Sequence, residues 1–266
     1  MLKTIVSLIM AGALALFAAA CTTGLEDGKA NKPVSKVAQA HLEKLGTDQK
    51  AAMLVRIYKQ ENELEVWKQT RGGRYVRFKT YEICAWSGEL GPKVSEGDRQ
   101  APEGFYTVTP GLMNPYSEYY LAFNLGFPNK FDKFHGRTGS NIMVHGDCSS
   151  AGCFAMTDDQ ISEIYALARE TFKGGNRSFQ VEVYPFKMTE ANLEEQADSP
   201  NIEFWRNLKQ GHDRFAANDS RPAQWDVCEG KYVFDADTSC AVGAGTPTGT
   251  AIAALNDNPP ERPSTL

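Results

Sequence analysis

MLVRIYKQENELEVWKQTRGGRYVRFKTYEICAW, residues 53–86, decides between two kinds of protein. Leu54, Ile57 and Tyr58 share one face of a helix, so residues 50–69 admit a helical reading. Residues 53–60 and 63–69 also alternate with partial period two on either side of Glu61-Asn62. Gly72-Gly73 then makes a turn, and a firmer strand follows over 74–86. There Tyr75, Arg77, Lys79, Tyr81 and Ile83 alternate against Val76, Phe78 and Thr80, the pattern of a strand with two different faces. The expectation is three successive strands rather than one helix.

The segments beyond agree with that choice. FYTVTP (105–110), YYLAFNLGF (119–127), NIMVH (141–145) and SFQVEVYPF (178–186) read as strands. Thr157 followed by Gln160 forms a capping box, and Ile161, Ile164, Tyr165 and Ala168 line one face of the helix it opens. Gly174-Gly175 ends that helix. Short helical material is expected around 35–45, mostly helix over 189–215, and a strand or hairpin in WDVCEGKYVFD (225–235). The fold class is therefore mainly β with accessory helices, α+β.

The chain opens MLKTIVSLIMAGALALFAAAC, with Lys3 ahead of an uncharged run and Ala18-Ala19-Ala20 before Cys21. This is the layout of a secretory signal over residues 1–20, too short for a full membrane span. It resembles a bacterial lipoprotein signal in which Cys21 is lipidated, with Ala18 where Leu is more usual; simple cleavage near Ala20 is the alternative. Thr22 after the cysteine favours the outer membrane, and nothing later reads as a transmembrane segment. Residues 22–50 read as a tether with a short helix, 51–186 as the main domain, 187–241 as an extension packed on it, and 242–266 as a disordered tail rich in Gly, Pro, Thr and Ala. A net charge of −5 argues against nucleic acid as a partner.

Five cysteines follow Cys21: Cys84, Cys148, Cys153, Cys228 and Cys240. An odd number in an oxidising compartment leaves one thiol to be explained. Two of them crowd beside a histidine in VHGDCSSAGCFAM, residues 144–156. His145, Cys148 and Cys153 admit three readings. As metal ligands they lack a fourth partner for a closed site. Cys148 and Cys153 are close enough in sequence for a disulfide. In the third reading Cys153 is a nucleophile, and His145, at a strand end, is the base that ionises it. Gly152 then allows close backbone approach, and the N–H groups around Gly152 and Cys153 serve as an oxyanion hole.

His145-Gly146 followed by Ser150-Ala151-Gly152-Cys153-Phe154-Ala155-Met156 resembles the L,D-transpeptidase (YkuD) catalytic domain, and in particular its YafK-like branch of exported murein enzymes. YEICAWSGELGP (81–92), EGDRQAPEGFYTV (96–108), SNIMVHG (140–146) and CFAMTDDQISEIY (153–165) extend the resemblance, which covers 51–186. It implies an L,D-transpeptidase-like β-sandwich or barrel. Cys153 is then the nucleophile, His145 the general base and acid, and the Gly146 carbonyl the group that holds the imidazole tautomer, as Asp does in serine triads. Ser150 matches the hydroxyl residue three places before the nucleophile. Ala151 and Ala155 stand where the common family pattern carries His and Arg, and the His-to-Cys spacing is short.

The implied chemistry is acyl transfer on a diaminopimelate-containing murein stem peptide, without metal or organic cofactor. The departures at Ala151 and Ala155 favour a murein-processing cysteine amidase or L,D-carboxypeptidase-like hydrolase, working through a Cys153 thioester and able to release a murein-bound lipoprotein. A transpeptidase that forms cross-links or attaches a protein is the alternative, and an inactive murein-binding protein the second. Arg99, Arg137 and His135 are candidates to line the cleft. By arithmetic on the remaining cysteines, Cys228 pairs with Cys240 and Cys84 with Cys148. The expected location is the periplasm, with a membrane contact only through the lipid on Cys21. Oligomeric state is not legible.

Overall fold

A computed structural model describes residues 28–235. The signal segment, Cys21, Cys240 and the tail over 242–266 lie outside the described residues.

The strand reading of 53–86 prevails. β1 (Met53–Tyr58), β2 (Glu63–Gln69) and β3 (Tyr75–Glu82) pair antiparallel in sequence order. β9 (Phe179–Tyr184) runs parallel to β1, and β4 (Gly104–Val108) closes the other side, giving the order β3-β2-β1-β9-β4. The alternation foreseen along β3 breaks at Phe78. Arg77 faces Trp67 and Lys79 faces Val66, so Phe78 is the extra residue of a β-bulge. The parity of the side chains changes there, and Phe78 and Tyr81 both turn inward.

A second sheet has four short strands in the order β5-β6-β7-β8: Met113–Asn114, Ala122–Asn124, Met143–His145 and Phe154–Ala155. Only the middle of YYLAFNLGF becomes strand, because Tyr120 takes a positive φ of 66°, which an extended strand does not allow. The stretch after β3 crosses to the second sheet. The Cys84 and Ala85 N–H groups donate to the Ala155 carbonyl at 2.9 and 3.2 Å, and Ala155 N–H returns a bond to Ala85 at 2.8 Å.

The expected barrel is not formed. β3 and β4 are the free edges of one sheet, β5 and β8 of the other. The β10–β11 hairpin (Trp225–Cys228, Lys231–Phe234) stands apart as a third. The architecture is mixed α+β with open sheets. Closure would need continuous pairing around the ring, and helices fill the space instead.

Those helices are α1 (Lys36–Lys44), α2 (Lys130–Phe134), α3 (Asp158–Lys173), α4 (Glu190–Glu195) and α5 (Ile202–Ala217). α3 starts at the capping box: Thr157 Oγ1 accepts from Gln160 N–H, and Thr157 N–H donates to Gln160 Oε1 at 3.0 Å. Its apolar face, with Ile161, Ile164 and Ala168, shares one core with Val55, Ile57, Val181 and Val183 of the large sheet and Phe123 and Val144 of the small one. The opposite face of the large sheet is also covered. Tyr58, Phe105 and Tyr184 pack with Trp205 and Leu208 of α5 and with Tyr232 and Phe234 of the hairpin. Burial on both faces explains why every residue of β1 is buried.

Charged groups inside this second layer are paired. Lys59 and Glu103, both fully buried, meet at 2.9 Å, and Glu103 also accepts from Gly91 N–H and Trp205 Nε1 at 2.7 Å each. Lys59 Nζ donates further to the carbonyls of Glu89, Gly91 and Ala101. The turn-rich loop over 87–103 is thus fastened from inside. Among the described residues no helix is long and apolar enough to cross a membrane.

Candidate active site

β7 and β8 run parallel with Val144 opposite Phe154 and His145 opposite Ala155. In this register Cys153, just before β8, lies beside Met143, two places back along β7 from His145. His145 is 3% exposed. Its Nδ1 lies 2.6 Å from the Gly146 carbonyl oxygen. A carbonyl only accepts, so Nδ1 carries the proton and Nε2 is left as the basic nitrogen. Burial lowers the His145 pKa, while the Gly146 carbonyl and the Asp147 carboxylate oppose that shift.

Gly146 is fixed in its turn. Its N–H donates to the Tyr119 and Leu121 carbonyls at 3.0 and 3.2 Å. A β-carbon on it would stand 2.5 Å from Asp158 Oδ1 and 3.0 Å from both Tyr119 O and Tyr120 Cβ. The tilted ring of Tyr119 lies 4.8 Å from the imidazole, centroid to centroid.

Cys153 is the free cysteine among the described residues and is half-buried. Met143 N–H donates to its sulfur at 3.4 Å, and the thiol faces the Asn141 carbonyl at 3.5 Å. Burial pushes the thiol pKa up; the Met143 N–H and the Lys93 ammonium pull it down by less. Burial thus disfavours the charged form of both Cys153 and His145.

Ser150 ties the turn before Cys153. Its hydroxyl donates to the Cys153 carbonyl at 2.7 Å and accepts the Gly152 N–H at 3.2 Å. The expectation that the Gly152 N–H serves the oxyanion is thereby corrected, because that donor is already committed. Gly152 does need to be glycine: its φ is +121°, a region closed to residues with a β-carbon.

Arg99 is an exposed residue whose backbone borders the turn, its carbonyl carbon 3.7 Å from where a Gly152 β-carbon would sit. His135 and Arg137 are engaged by other groups. His135 Nε2 donates to the Gly230 carbonyl at 2.8 Å, and Arg137 pairs with Asp132 at 2.9 Å while its guanidinium lies over Phe131 and Phe204. Both residues fasten α2 to the extension. Sequence reasoning missed Tyr119 and Lys93. Tyr119 was hidden inside an expected strand. Lys93, 4% exposed and paired with Asp98, sits in a loop without periodicity.

The disulfide joins Cys84 to Cys148. This removes Cys148 from any metal cluster with His145 and from a bond to Cys153. Cys228 is also disulfide-bonded, and its expected partner, Cys240, lies outside the described residues.

The reading as a murein amidase or carboxypeptidase-like hydrolase is corrected by the comparisons below; of the three cysteines around the site, Cys84 and Cys148 are closed in a disulfide, while Cys153 keeps its thiol. The free thiol of Cys153 is not held as a thiolate against the imidazole; its hydrogen-bond partners are main-chain groups. The comparisons with known proteins favour transfer over cleavage. The family described as the L,D-transpeptidase catalytic domain matches residues 52–183. YafK, a candidate L,D-transpeptidase of Escherichia coli (strain K12), is 42% identical over 179 residues, covering 67% of this chain and 72% of that protein. YafK of Escherichia coli O157:H7 matches to the same extent.

Among solved structures, the helical cell shape determining protein Pgp2 of Campylobacter jejuni (K307A mutant) is 17% identical at a TM-score of 0.42, covering 73% of this chain and 81% of that one. Bdellovibrio bacteriovorus Bd1075 is 24% identical at a TM-score of 0.35, covering 61% and 60%. These structural likenesses are loose and say nothing of function. The sequence relatives are decisive: the chain belongs to the L,D-transpeptidase (YkuD) family.

Proposed function

We propose that this protein is an L,D-transpeptidase that transfers an acyl group of a peptidoglycan stem peptide to an acceptor amine, with Cys153, His145 and Gly146 as its catalytic group. The observation that carries the reading is the hydrogen bond from His145 Nδ1 to the Gly146 carbonyl, beside a cysteine that keeps its thiol. It leaves a basic Nε2 on a buried ring. That is the arrangement a thiol needs when it has no charge of its own at rest.

On donor binding, His145 Nε2 takes the Cys153 proton as the sulfur bonds to the donor carbonyl carbon. The donor C–N bond breaks, and the imidazole returns the proton to the leaving amine. An acceptor amine then attacks the acyl carbon, loses a proton to Nε2, and the sulfur leaves and regains that proton. The Cys153 N–H would serve as a backbone donor to the oxyanion of both steps. Residues 51–186 would carry this chemistry, with 187–241 packed on them.

Location outside the cytoplasm follows from the substrate, and a disulfide suits an oxidising compartment. Attachment to the outer membrane through Cys21 and a protein as acceptor are finer forms of the same reading.

The test is incubation with a defined tetrapeptide muropeptide and an acceptor amine, read by mass spectrometry. Joined product is expected from the protein and none from Cys153→Ala. Equal product from Cys153→Ala would overturn the site. Cleavage by water alone, with acceptor present, would overturn the transferase.

A further inference from the structure

The aromatic segment next to His145 has no part in the chemistry above. Tyr119 is 45% exposed, whereas His145, whose ring lies 4.8 Å from its own, is 3% exposed. A large aromatic ring left at the surface is ordinary by itself. This one is held where it stands. Its carbonyl accepts the Gly146 N–H at 3.0 Å, and its own N–H donates to Ser117 Oγ at 3.1 Å. The next residue, Tyr120, takes a positive φ of 66°, a conformation that persists only where the surroundings impose it.

Those surroundings come from the N-terminal stretch before α1. Lys32 Nζ donates to the Tyr120 hydroxyl at 2.8 Å, and Lys29 Nζ reaches the Ser117 carbonyl at 3.4 Å. Both ammonium groups lie 5.6 Å from the Tyr120 ring centre. Arg169 of α3 holds the stretch from the other side through the Lys32 carbonyl, at 2.9 Å.

We infer that Tyr119 is a positioning residue of the active site: its ring shields the hydrogen bond between His145 Nδ1 and the Gly146 carbonyl from water, and so keeps Nε2 the basic nitrogen. The inference rests on the proposed role of that histidine but concerns the hydrogen bond itself. A neutral imidazole in water exchanges its proton between both nitrogens, and water competes for the Gly146 carbonyl. Covering the pair removes the competitor. The ring does this whether or not substrate is present, and a phenylalanine would do it equally well because the hydroxyl has no part in the shielding.

The experiment reads the Nδ1–H proton of His145 by NMR in the free protein, so it is independent of any assay for transpeptidation. In the wild type and in Tyr119→Phe this proton should be visible and slow to exchange with water. In Tyr119→Ala it should exchange about tenfold faster or more, which corresponds to about 1.4 kcal/mol of lost protection. Tyr119→Leu keeps an apolar cover and should lie between; it decides the matter should the alanine variant not fold. Unchanged exchange in a folded Tyr119→Ala, or equal loss in Tyr119→Phe, would overturn the role. Failure of transpeptidation with this proton protected would instead count against the proposed reaction alone.

Discussion

Cys84 and Cys148 hold their α-carbons 5.1 Å apart across a disulfide between positions 64 apart in sequence. One end follows β3 and the other lies three residues beyond His145. The bond therefore pins the turn between His145 and Cys153 to the end of β3, next to the Ala85–Ala155 bridge. Closing a loop of this length restricts the unfolded chain by about 4 kcal/mol in the chain-entropy account. Replacing both cysteines by serine should lower unfolding stability by about 2–4 kcal/mol. Urea titrations of the two proteins check this, and unchanged midpoints would show that the turn is held without the bond.

Ionisation of Cys153 sets a pH dependence whose sign follows from its surroundings. Burial disfavours the thiolate, so the thiol titrates above an ordinary cysteine. Alkylation of the free protein by iodoacetamide should accelerate with pH and reach half-maximum on the alkaline side of that ordinary value. The Lys93 ammonium favours the thiolate. Lys93→Gln should therefore move the half-maximum further up. A downward move would show that Lys93 acts mainly through its bond to Asp98.

Gly146 has no room for a side chain. Gly146→Ala would place a methyl group 2.5 Å from Asp158 Oδ1 and 3.0 Å from the Tyr119 carbonyl. Overpacking of this kind destabilises by about 1–3 kcal/mol. It also forces the carbonyl that holds His145 to move. Thermal unfolding should show the loss of stability, and joined muropeptide should fall more steeply than the folded fraction does.

Glu103 binds Lys59, the Gly91 N–H and Trp205 together. Glu103→Gln leaves the Lys59 ammonium buried without its counter-charge, a change that usually destabilises by about 3–5 kcal/mol. The Lys59→Met, Glu103→Leu double variant removes both charges and should recover much of the difference. Chemical denaturation of the three proteins separates the outcomes.

The strands and the capping box were legible because each depends on neighbours in sequence. Thr157 and Gln160 are three residues apart, and β1 to β3 follow one another with short turns. His145 and Cys153 were legible for a similar reason: one short stretch contains both. The parallel pairing of β7 and β8, which sets the strands carrying them side by side, left no mark of its own in residues 144–156. The partners of His135 and Arg137, which are Gly230 and Asp132 with the ring of Phe204, were not legible, because Gly230 and Phe204 lie about 70 to 95 residues further along the chain. Tyr119 escaped notice because a tyrosine in an apolar run reads as strand, and nothing in that run signals the positive φ at Tyr120 that ends it.

The large sheet has two cores, and one of them is completed by residues well beyond the segment that matches the family. A fragment ending at residue 186 would strip Trp205, Leu208, Tyr232 and Phe234 from Tyr58, Phe105 and Tyr184. It would also leave Glu103 without its tryptophan partner. An aromatic sheet face laid open to water is an invitation to self-association. The boundary drawn by homology and the boundary of cooperative folding therefore fall at different places in this chain. Any attempt to isolate the reacting half should carry the chain at least through Phe234.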